Sequence, residues 1–333
     1  MRRVEHWIRA AVESLHDSRS VSALSCDSFL ARPLGRNAVW EVTERASQRK
    51  VCVKIWRDQV IFHREVQGRA IINNIASRRP RILPVTVLHT DEERGAIVTE
   101  WIEGVTLRHL LNAQLRYRIP LARTATAANR CFVMTVELLR ELHCVDRAQF
   151  SQGADHSIGA QIERLNRNAR ELAQSPLLKD MDIFHAFPVQ VDASQFNLNM
   201  GGIFGDLSPE NVVYAGGKVG FWDFEDMGIG PTLRDYIYVD YFLGRMSRWR
   251  YQLPRAALQR LAKELQQCSA YTSFCRLELM LAHLALLARE YSNTSGLRRS
   301  VEWFDIKQLA NAAQSLWLTA VQPILKAAPH PRG

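Results

Sequence analysis

The hydrophobic pattern of this sequence changes near residue 100, and that change restricts the fold more than any other feature. Before it, short runs of β-branched and aromatic residues alternate with polar residues and are separated by turn residues. After it, apolar residues recur at helical spacing over long stretches. The pattern predicts an α+β chain, with a small β-rich lobe followed by a larger helical lobe.

Residues 1–100 are predicted to form the first lobe, with a five-stranded sheet and one helix that follow an N-terminal helix. The predicted strands cover residues 29–34, 38–43, 50–56, 82–89 and 95–101. Val60–Ala76 has helical spacing, and Gly35-Arg36-Asn37 has the composition of a hairpin turn between the first two strands.

The N-terminal segment has one apolar helical face. That face is formed by Trp7, Ile8, Ala11, Val12 and Leu15. We expect it to pack on the body of the protein, and a helix lying on a membrane surface is the alternative. The segment has no apolar stretch of signal-peptide length, and the longest apolar run of the sequence is too short to cross a bilayer. A cytoplasmic location is therefore expected.

Residues 101–326 are predicted to form the helical lobe, with a helical insert at about residues 145–200 and a flexible tail at 327–333. Ala128–His143 and Ile158–Leu172 have the spacing of amphipathic helices. Helices with one apolar face require a neighbour to cover it, so this part of the chain is expected to pack as a helical layer.

A β-like segment interrupts the helical pattern and holds the residues with the clearest chemistry. Asp206 and Asn211 are separated by four residues, and Asp223 follows at the end of the next predicted strand. Phosphoryl transfer requires a carboxylate at the attacking hydroxyl, and an amide and a second carboxylate that hold Mg²⁺ against the phosphates. We therefore predict Asp206 as the catalytic residue, and Asn211 and Asp223 as metal ligands. Ordinary turn residues are the alternative.

The segment GDLSPENVVYAGGKVGFWDFED, residues 205–226, resembles the catalytic loop and metal-binding segment of the protein-kinase-like superfamily. Within that superfamily it is similar to the aminoglycoside phosphotransferase and choline kinase branch, which typically reads HGDLHPGN at this point. The resemblance implies a two-lobed protein-kinase-like fold. It also implies an ATP- and Mg²⁺-dependent phosphotransferase whose acceptor is a hydroxyl group of a small molecule.

Shorter matches upstream occur in the order that the family requires, and they imply four residues that bind the nucleotide. VCVKIW resembles the family's third strand and puts Lys54 in the place of the phosphate-pairing lysine. FHREVQGRAI resembles the following helix and puts Glu65 in the place of that lysine's ion-pair partner. PLGRNAVWEV resembles the first hairpin, in which Gly35 and Asn37 would cover the phosphates.

The resemblance also implies an adenine site and a buried aspartate that holds the catalytic loop. Two positions, however, depart from the pattern of the family or of protein kinases. Backbone groups around Glu100 and Ile102 would bind adenine, and Asp235 stands where the family has a buried Asp that braces the catalytic loop. Phe204 replaces the family's usual His two residues before the catalytic Asp. Glu225 stands where protein kinases have the Gly of DFG, which is usual in the small-molecule branch.

The charge of the chain bears on its partners. Lys and Arg number 43 against 34 acidic residues, which gives a net charge of +9. A basic surface disfavours a polycationic acceptor such as an aminoglycoside. A sugar, an amino alcohol or a glycan or lipid-linked intermediate is expected instead. The run Arg245–Arg260 is interpreted as a solvated face, with an anionic partner or a membrane surface left open and nucleic acid disfavoured.

A catalytically inactive kinase-like scaffold that binds an acidic partner such as RNA through its arginine-rich face is the alternative function. The presence of Lys54, Asp206, Asn211 and Asp223 together argues against it. A protein kinase is disfavoured because no segment resembling the protein-kinase APE motif follows Asp223.

Six cysteines are scattered along the chain without CxxC spacing. In a chain of this length, that distribution predicts buried, reduced thiols in place of a disulfide framework. No pairs of cysteine and histidine recur at zinc-ligand spacing.

Overall fold

A computed structural model describes most of the chain. The described residues are 6–17, 24–26, 28–34, 38–116, 122–175, 178, 196–245, 255–292 and 297–323. The chain forms two compact units, one of residues 1–154 with 209–228 and one of residues 155–208 with 229–333. Both units are discontinuous in sequence, and the predicted lobe boundary at residue 100 stays a prediction.

The first unit contains a six-stranded antiparallel sheet. Its strands are β1 (Leu24–Ser25), β2 (Phe29–Pro33), β3 (Val39–Glu44), β4 (Lys50–Ile55), β5 (Val87–Asp91) and β6 (Ala96–Glu100). They are ordered β1-β2-β3-β4-β6-β5. The sheet has one short strand, β1, beyond the five predicted.

One predicted strand is shorter than expected. Residues 82–89 were expected to pair throughout, but β5 begins only at Val87. Pro84 lies between, and a proline has no N–H to donate to a neighbouring strand. Upstream of it, Ile82 makes a single bridge to Val219.

Helix α1 (His6–Asp17) covers one face of the sheet. Its apolar residues are buried together with sheet residues such as Phe29, Trp40 and Val53 in one hydrophobic cluster. This confirms the packing predicted from the spacing of Trp7 to Leu15. A membrane-surface role for α1 is not supported, because its apolar face is already covered.

Helix α2 (Gln59–Arg78) begins one residue before the predicted helix and extends two residues further at its end. Asp58 caps it, since its carboxylate accepts a hydrogen bond from the N–H of Val60 at 2.8 Å. Two charged residues one helical turn apart, Glu65 and Arg69, are buried on its inner face.

The rest of the described chain is mainly helical. Its elements are β7 (Val105–Thr106), α3 (Leu107–Arg116), α4 (Ala122–His143), β8 (Ala154–Asp155), α5 (Ile158–Gln174), β9 (Met200–Ile203), β10 (Val212–Ala215), β11 (Lys218–Phe221), β12 (Gly228–Pro231), α6 (Leu233–Arg245), α7 (Arg255–Leu265), α8 (Ser269–Ser292) and α9 (Leu297–Leu316). The β-rich N-terminal region and this helical remainder confirm the predicted α+β class. In the first unit, β10 and β11 form a hairpin with the order β11-β10-β7.

The second unit is built around α8, which packs against α5, α6 and α9. A buried ion cluster lies at its centre. Glu278 of α8 contacts Arg234 Nη1 at 2.7 Å and Arg164 Nε at 3.0 Å. Burial alone would raise the pKa of Glu278, but the two guanidinium groups outweigh it and lower that pKa. Arg164 of α5 is thus part of this cluster.

Three of the six cysteines are buried: Cys52, Cys131 and Cys275. Burial raises the pKa of Cys52 to about 11 and that of Cys131 to about 12, so both are protonated thiols at neutral pH. Cys144 is exposed, which corrects the expectation that all six are buried. All six are free thiols.

None of the helices, over the residues described, has both the length and the apolar composition needed to cross a membrane.

Gly68 offers a direct test of how α2 packs in the first unit. A Cβ atom at this position would stand 2.6 Å from Phe224 Cβ and 3.1 Å from Met227 Sδ. We expect Gly68→Ala to lower the free energy of unfolding by about 1–3 kcal/mol, because the core has no room for the methyl group. Urea unfolding measures this change.

Gly159→Ala is the matched control, because Gly159 is also helical and its added Cβ would meet no atom closer than 3.8 Å. That variant should be neutral or slightly more stable, since alanine is the better helix former. Equal stability of the two variants would contradict the packing described for α2.

Candidate functional site

Lys54 is the centre of the site in the first unit. Its side chain projects from β4 and is only 3% exposed. The ammonium lies 2.8 Å from Asp223 Oδ1 and 3.3 Å from Glu65 Oε1. Burial opposes the charge, but these two carboxylates outweigh it and raise the pKa of Lys54 above its ordinary value. The lysine is therefore a fixed positive charge at neutral pH.

Glu65 is fully buried and is held by three donors. It accepts hydrogen bonds from Lys54 Nζ, from the guanidinium of Arg69 and from the backbone N–H of Phe224, the last at 2.7 Å. Burial would raise the pKa of Glu65, but the charges of Lys54 and Arg69 outweigh it and lower that pKa. The predicted pair of Lys54 and Glu65 is thus formed, and Glu65 also ties α2 to the segment after β11.

Asp223 has a left-handed backbone, with φ at 71°. This conformation is uncommon outside glycine, although Asp and Asn tolerate it better than other residues. Non-glycine residues in this region persist where the surrounding structure holds them, and they occur often at functional sites. Here the contact with Lys54 Nζ holds the Asp223 side chain, and the bond from Phe224 N–H to Glu65 holds the residue that follows it.

The β10–β11 hairpin positions Asn211 relative to Asp223. Val212 pairs with Phe221, so Asn211 lies just beyond the last strand pair and opposite Trp222. Its carbonyl accepts the N–H of Trp222 at 2.7 Å. The pairing therefore fixes Asn211 beside the residue that precedes Asp223.

Glu225 and Trp56 extend the site. The indole N–H of Trp56 donates to Glu225 Oε1 at 2.8 Å, and the Lys54 ammonium lies 5.0 Å from the Trp56 ring centroid. Burial and the neighbouring Asp223 carboxylate raise the pKa of Glu225. Three carboxylates thus lie within 4.0 Å of the Lys54 ammonium.

A cavity of about 210 Å³ opens beside the Lys54 side chain. Its lining is Ala38, Val39, Lys54, Ile55, Trp56, Arg57 and Glu225. Gly35 and Asn37, predicted to cover phosphates, lie outside the described residues. The adjoining residues Ala38 and Val39 belong to the lining, so the chain that follows the predicted turn reaches this cavity.

Glu100 and Ile102 mark the end of β6. Both residues are partly exposed and line a cavity of about 420 Å³ together with Trp101. The N–H of Glu100 is occupied, because it donates to the carbonyl of Thr86 at 3.0 Å. The N–H of Glu100 is therefore not available to a ligand at this edge.

The predicted catalytic loop belongs to the second unit. Asp235 is fully buried at the start of α6, and its two carboxylate oxygens accept the N–H groups of Phe204 and Gly205 at 3.0 Å each. Gly205 has φ at 87°, which suits a residue without a Cβ. Asp206 follows, partly exposed. Asp235 therefore holds the loop as predicted. Phe204 is buried and its side chain is apolar, so it cannot supply the polar contact that the family's usual His would make.

Sequence reasoning missed Arg69, Trp56 and the contacts of Glu225. The contact between Arg69 and Glu65 could have been predicted, because Arg69 lies four residues after Glu65 and so shares its helical face. Its guanidinium lies 5.5 Å from the Trp222 ring and 5.6 Å from the Phe224 ring. The hydrogen bond from Trp56 to Glu225 joins residues 169 positions apart, and the local sequence around neither residue predicts it.

The oxygen donors at the hairpin fit a hard cation. Mg²⁺ is usually held by one or two carboxylates together with substrate phosphates and water, and it does not require a cage made only of protein. Asn211 supplies an amide oxygen and Asp223 a partly exposed carboxylate. No group of three or more His, Cys, Asp or Glu that could hold a metal occurs within the described ranges.

The model of the phosphotransferase enzyme family matches residues 32–257, about two thirds of the chain. Those residues include every sequence-predicted site residue. No curated protein matches the sequence significantly.

Solved structures of the same fold cover nearly the whole chain at low identity. A thermostable mutant of aminoglycoside phosphotransferase APH(4)-Ia, in complex with AMP-PNP and hygromycin B, has a TM-score of 0.55 and 11% identity over 92% of this chain and 98% of its own. Choline kinase LicA from Streptococcus pneumoniae has a TM-score of 0.53 and 11% identity, over 92% and 100%. Amicoumacin kinase hAmiN, in complex with AMP-PNP, Ca²⁺ and Ami, has a TM-score of 0.50 and 12% identity, over 93% and 96%.

These likenesses confirm the predicted protein-kinase-like fold with its β-rich and helical lobes. The family match extends from the β-rich sheet through the hairpin that carries Asp223 and beyond Asp235. The chain therefore belongs to the phosphotransferase enzyme family.

Proposed function

We propose that this protein transfers the γ-phosphoryl group of ATP, bound with Mg²⁺, to a hydroxyl group of a small molecule. The observation that carries the proposal is the buried Lys54 ammonium, which is held by Glu65 and Asp223 beside an open cavity. Burying a lysine is unfavourable unless its charge is compensated. A lysine kept charged and aimed at a cavity is suited to bind a phosphate chain.

Each residue in the first unit has a role that its contacts support. Lys54 would pair with the α- and β-phosphates, with Glu65 fixing its direction. Asn211 and Asp223 would hold Mg²⁺, whose charge would offset the negative charge that develops on the phosphoryl oxygens. Gly35 and Asn37 would cover the phosphates. The carbonyl of Glu100 and the N–H of Ile102 would bind adenine, in keeping with the occupied N–H of Glu100.

Asp206 would orient the acceptor hydroxyl and take its proton during transfer. Its position depends on the two hydrogen bonds that Asp235 accepts from the preceding residues. In this mechanism the bonds that form and break belong to the nucleotide and the acceptor hydroxyl. The protein positions these groups and compensates their charge.

The relatives support the choice of cofactor. Two of the structures of the same fold contain AMP-PNP, and one of these also contains Ca²⁺. The side chains around Lys54 and Asp223 provide the matching groups in this chain. We therefore propose ATP as phosphoryl donor and Mg²⁺ as the metal.

The net positive charge disfavours a polycationic acceptor, which leaves a sugar, an amino alcohol with a single cationic group, or a glycan or lipid-linked intermediate as the proposed acceptor. An aminoglycoside is disfavoured for the same reason. The alternative, a scaffold for an acidic partner, depends on the run Arg245–Arg260, whose side chains lie outside the described residues. No observation favours that alternative over catalysis.

Replacement of the catalytic carboxylate should separate chemistry from binding. We expect Asp206→Asn to lower kcat on the order of 10²–10⁴-fold, because an amide cannot take the proton of the hydroxyl. The affinity for Mg²⁺-ATP should stay within about twofold. The measurement is ADP release with a panel of sugars and amino alcohols, together with nucleotide titration calorimetry. Glu137→Gln, at an exposed acid on α4, is the control. Full activity of Asp206→Asn would refute the assignment.

Replacement of Asp223 should remove the metal-dependent part of nucleotide binding. Asparagine tolerates the left-handed backbone of Asp223, so Asp223→Asn changes the charge without adding backbone strain. In the wild type, Mg²⁺-ATP at 100 times its Kd should add about 2.7 kcal/mol of stability. We expect most of the Mg²⁺-dependent rise in Tm to be lost in the variant. A full Mg²⁺-dependent rise in Asp223→Asn would exclude this residue as a metal ligand.

Glu225 should give the protein a defined dependence on pH. Its folded-state pKa is raised above the ordinary value of 4.5, so it stabilises the protein only while it is protonated. As pH rises from about 4.5 through the folded-state pKa, the wild type should lose stability relative to Glu225→Gln. Urea unfolding over a pH series measures the difference. Glu137→Gln should follow the wild type, and parallel curves for Glu225→Gln would contradict the raised pKa.

A further inference from the structure

Arg69 is a buried cation on the inner face of α2, next to the site around Lys54. The residue is 1% exposed, and Glu65 is its one ion-pair partner in the described part of the chain. The ring centres of Trp222 and Phe224 lie 5.5 and 5.6 Å from its Cζ atom, a distance at which an aromatic ring attracts a cation. Arg69 therefore lies against both residues that flank Asp223 in the sequence.

Stability is a weak reason for an arginine at this position. Replacing a buried ion pair by apolar residues of similar volume is often neutral or stabilising, because desolvation of the two charges offsets most of their attraction. Two guanidinium nitrogens of Arg69, Nε and Nη1, are also buried without a hydrogen-bond partner among the residues described. Buried donors without an acceptor are unfavourable. The charge of Arg69 therefore has to be explained by something other than the stability of the core.

Arg69 and Lys54 share one oxygen atom of Glu65. Oε1 accepts hydrogen bonds from both Arg69 Nη2 and Lys54 Nζ, whereas Oε2 accepts the N–H of Phe224. The Lys54 ammonium is 3.3 Å from this shared oxygen but 2.8 Å from Asp223 Oδ1. Bonds between an ammonium and a carboxylate are ordinarily about 2.7–2.9 Å long. Because the guanidinium competes for the same oxygen, the hold of Glu65 on Lys54 is weakened.

Arg69 also balances the charge of this group of side chains. Lys54 and Arg69 are cations and Glu65 and Asp223 are carboxylates, so the four together are neutral. Without the guanidinium the group would have one excess negative charge, and Glu225 adds a further carboxylate 4.0 Å from Lys54 Nζ. An anionic phosphate chain would then approach a negatively charged group, and like charges repel.

We propose that Arg69 is a positioning residue for nucleotide binding. It does not touch the nucleotide. By taking part of the charge of Glu65 Oε1, it leaves the Lys54 ammonium free to pair with the α- and β-phosphates. This role rests on the proposed function and adds to it a residue that sets the charge around the lysine. An arginine that only filled space would differ, because a neutral side chain of similar length could replace it.

Arg69→Gln tests this role, because glutamine keeps an N–H that can donate to Glu65 and removes the charge. The full chain of wild type and variant is titrated with Mg²⁺-AMP-PNP by calorimetry and with adenosine by ligand-observed NMR. We expect Arg69→Gln to weaken Mg²⁺-AMP-PNP binding about tenfold, because the phosphates then meet one more uncompensated negative charge. Adenosine has no phosphate and should bind within about twofold of its wild-type affinity.

Two further variants separate charge from packing. Arg69→Lys keeps the charge four residues after Glu65, a spacing at which lysine and glutamate pair on a helix. It should bind Mg²⁺-AMP-PNP within about threefold of the wild type. Arg78→Gln, at an exposed arginine on the same helix, should leave binding unchanged. If Arg69→Gln fails to fold, Arg69→Lys still decides, because a tenfold loss of Mg²⁺-AMP-PNP affinity in that variant would contradict the proposal.

The outcomes for this role and for the proposed function differ. Equal Mg²⁺-AMP-PNP binding by wild type and Arg69→Gln would overturn the role of Arg69 alone. A loss of adenosine binding as large as that of Mg²⁺-AMP-PNP would indicate a packing defect and would also overturn it. A wild type that binds adenosine but not Mg²⁺-AMP-PNP would refute the proposed function, and the role of Arg69 with it.

Discussion

The buried carboxylate of Glu65 is the interaction on which the rest of the first unit depends. It joins three parts of the chain that are far apart in sequence: Lys54 on β4, Arg69 on its own helix, and the N–H of Phe224 after the hairpin. Because the group is fully buried, it is stable only while these donors surround it. The left-handed turn at Asp223 lies directly before this contact, since the N–H of the next residue, Phe224, donates to Glu65.

Charge compensation explains how a lysine can be buried at this site. Lys54 has three carboxylates within 4.0 Å, and the guanidinium of Arg69 offsets part of their charge at Glu65. Under the proposed function, a phosphate chain would meet a lysine already oriented, so little side-chain entropy would be lost on binding. The second unit has a similar arrangement, in which one buried glutamate holds two arginines, and there the cluster is enclosed among helices.

The sequence predicted the fold class and most helix and strand positions because hydrophobic periodicity is a local property. It also predicted the pairing of Lys54 with Glu65 and the brace at Asp235, because a family resemblance supplied the long-range order. The bond from Trp56 to Glu225 could not be predicted, since it depends on the register of distant strands. Pro84 delays the start of β5, and this effect was readable from the residue itself but was outweighed by the apolar run around it.

The discontinuity of the first unit has a consequence for the order in which the chain is made. Asp223 follows Lys54 by 169 residues, so at cellular rates of translation it leaves the ribosome roughly ten to thirty seconds later. During that interval Lys54 has Glu65 as a neighbour, but neither Asp223 nor the Phe224 N–H yet exists. Until the hairpin of the later segment has been synthesised, Lys54 therefore lacks the carboxylate of Asp223 as a partner.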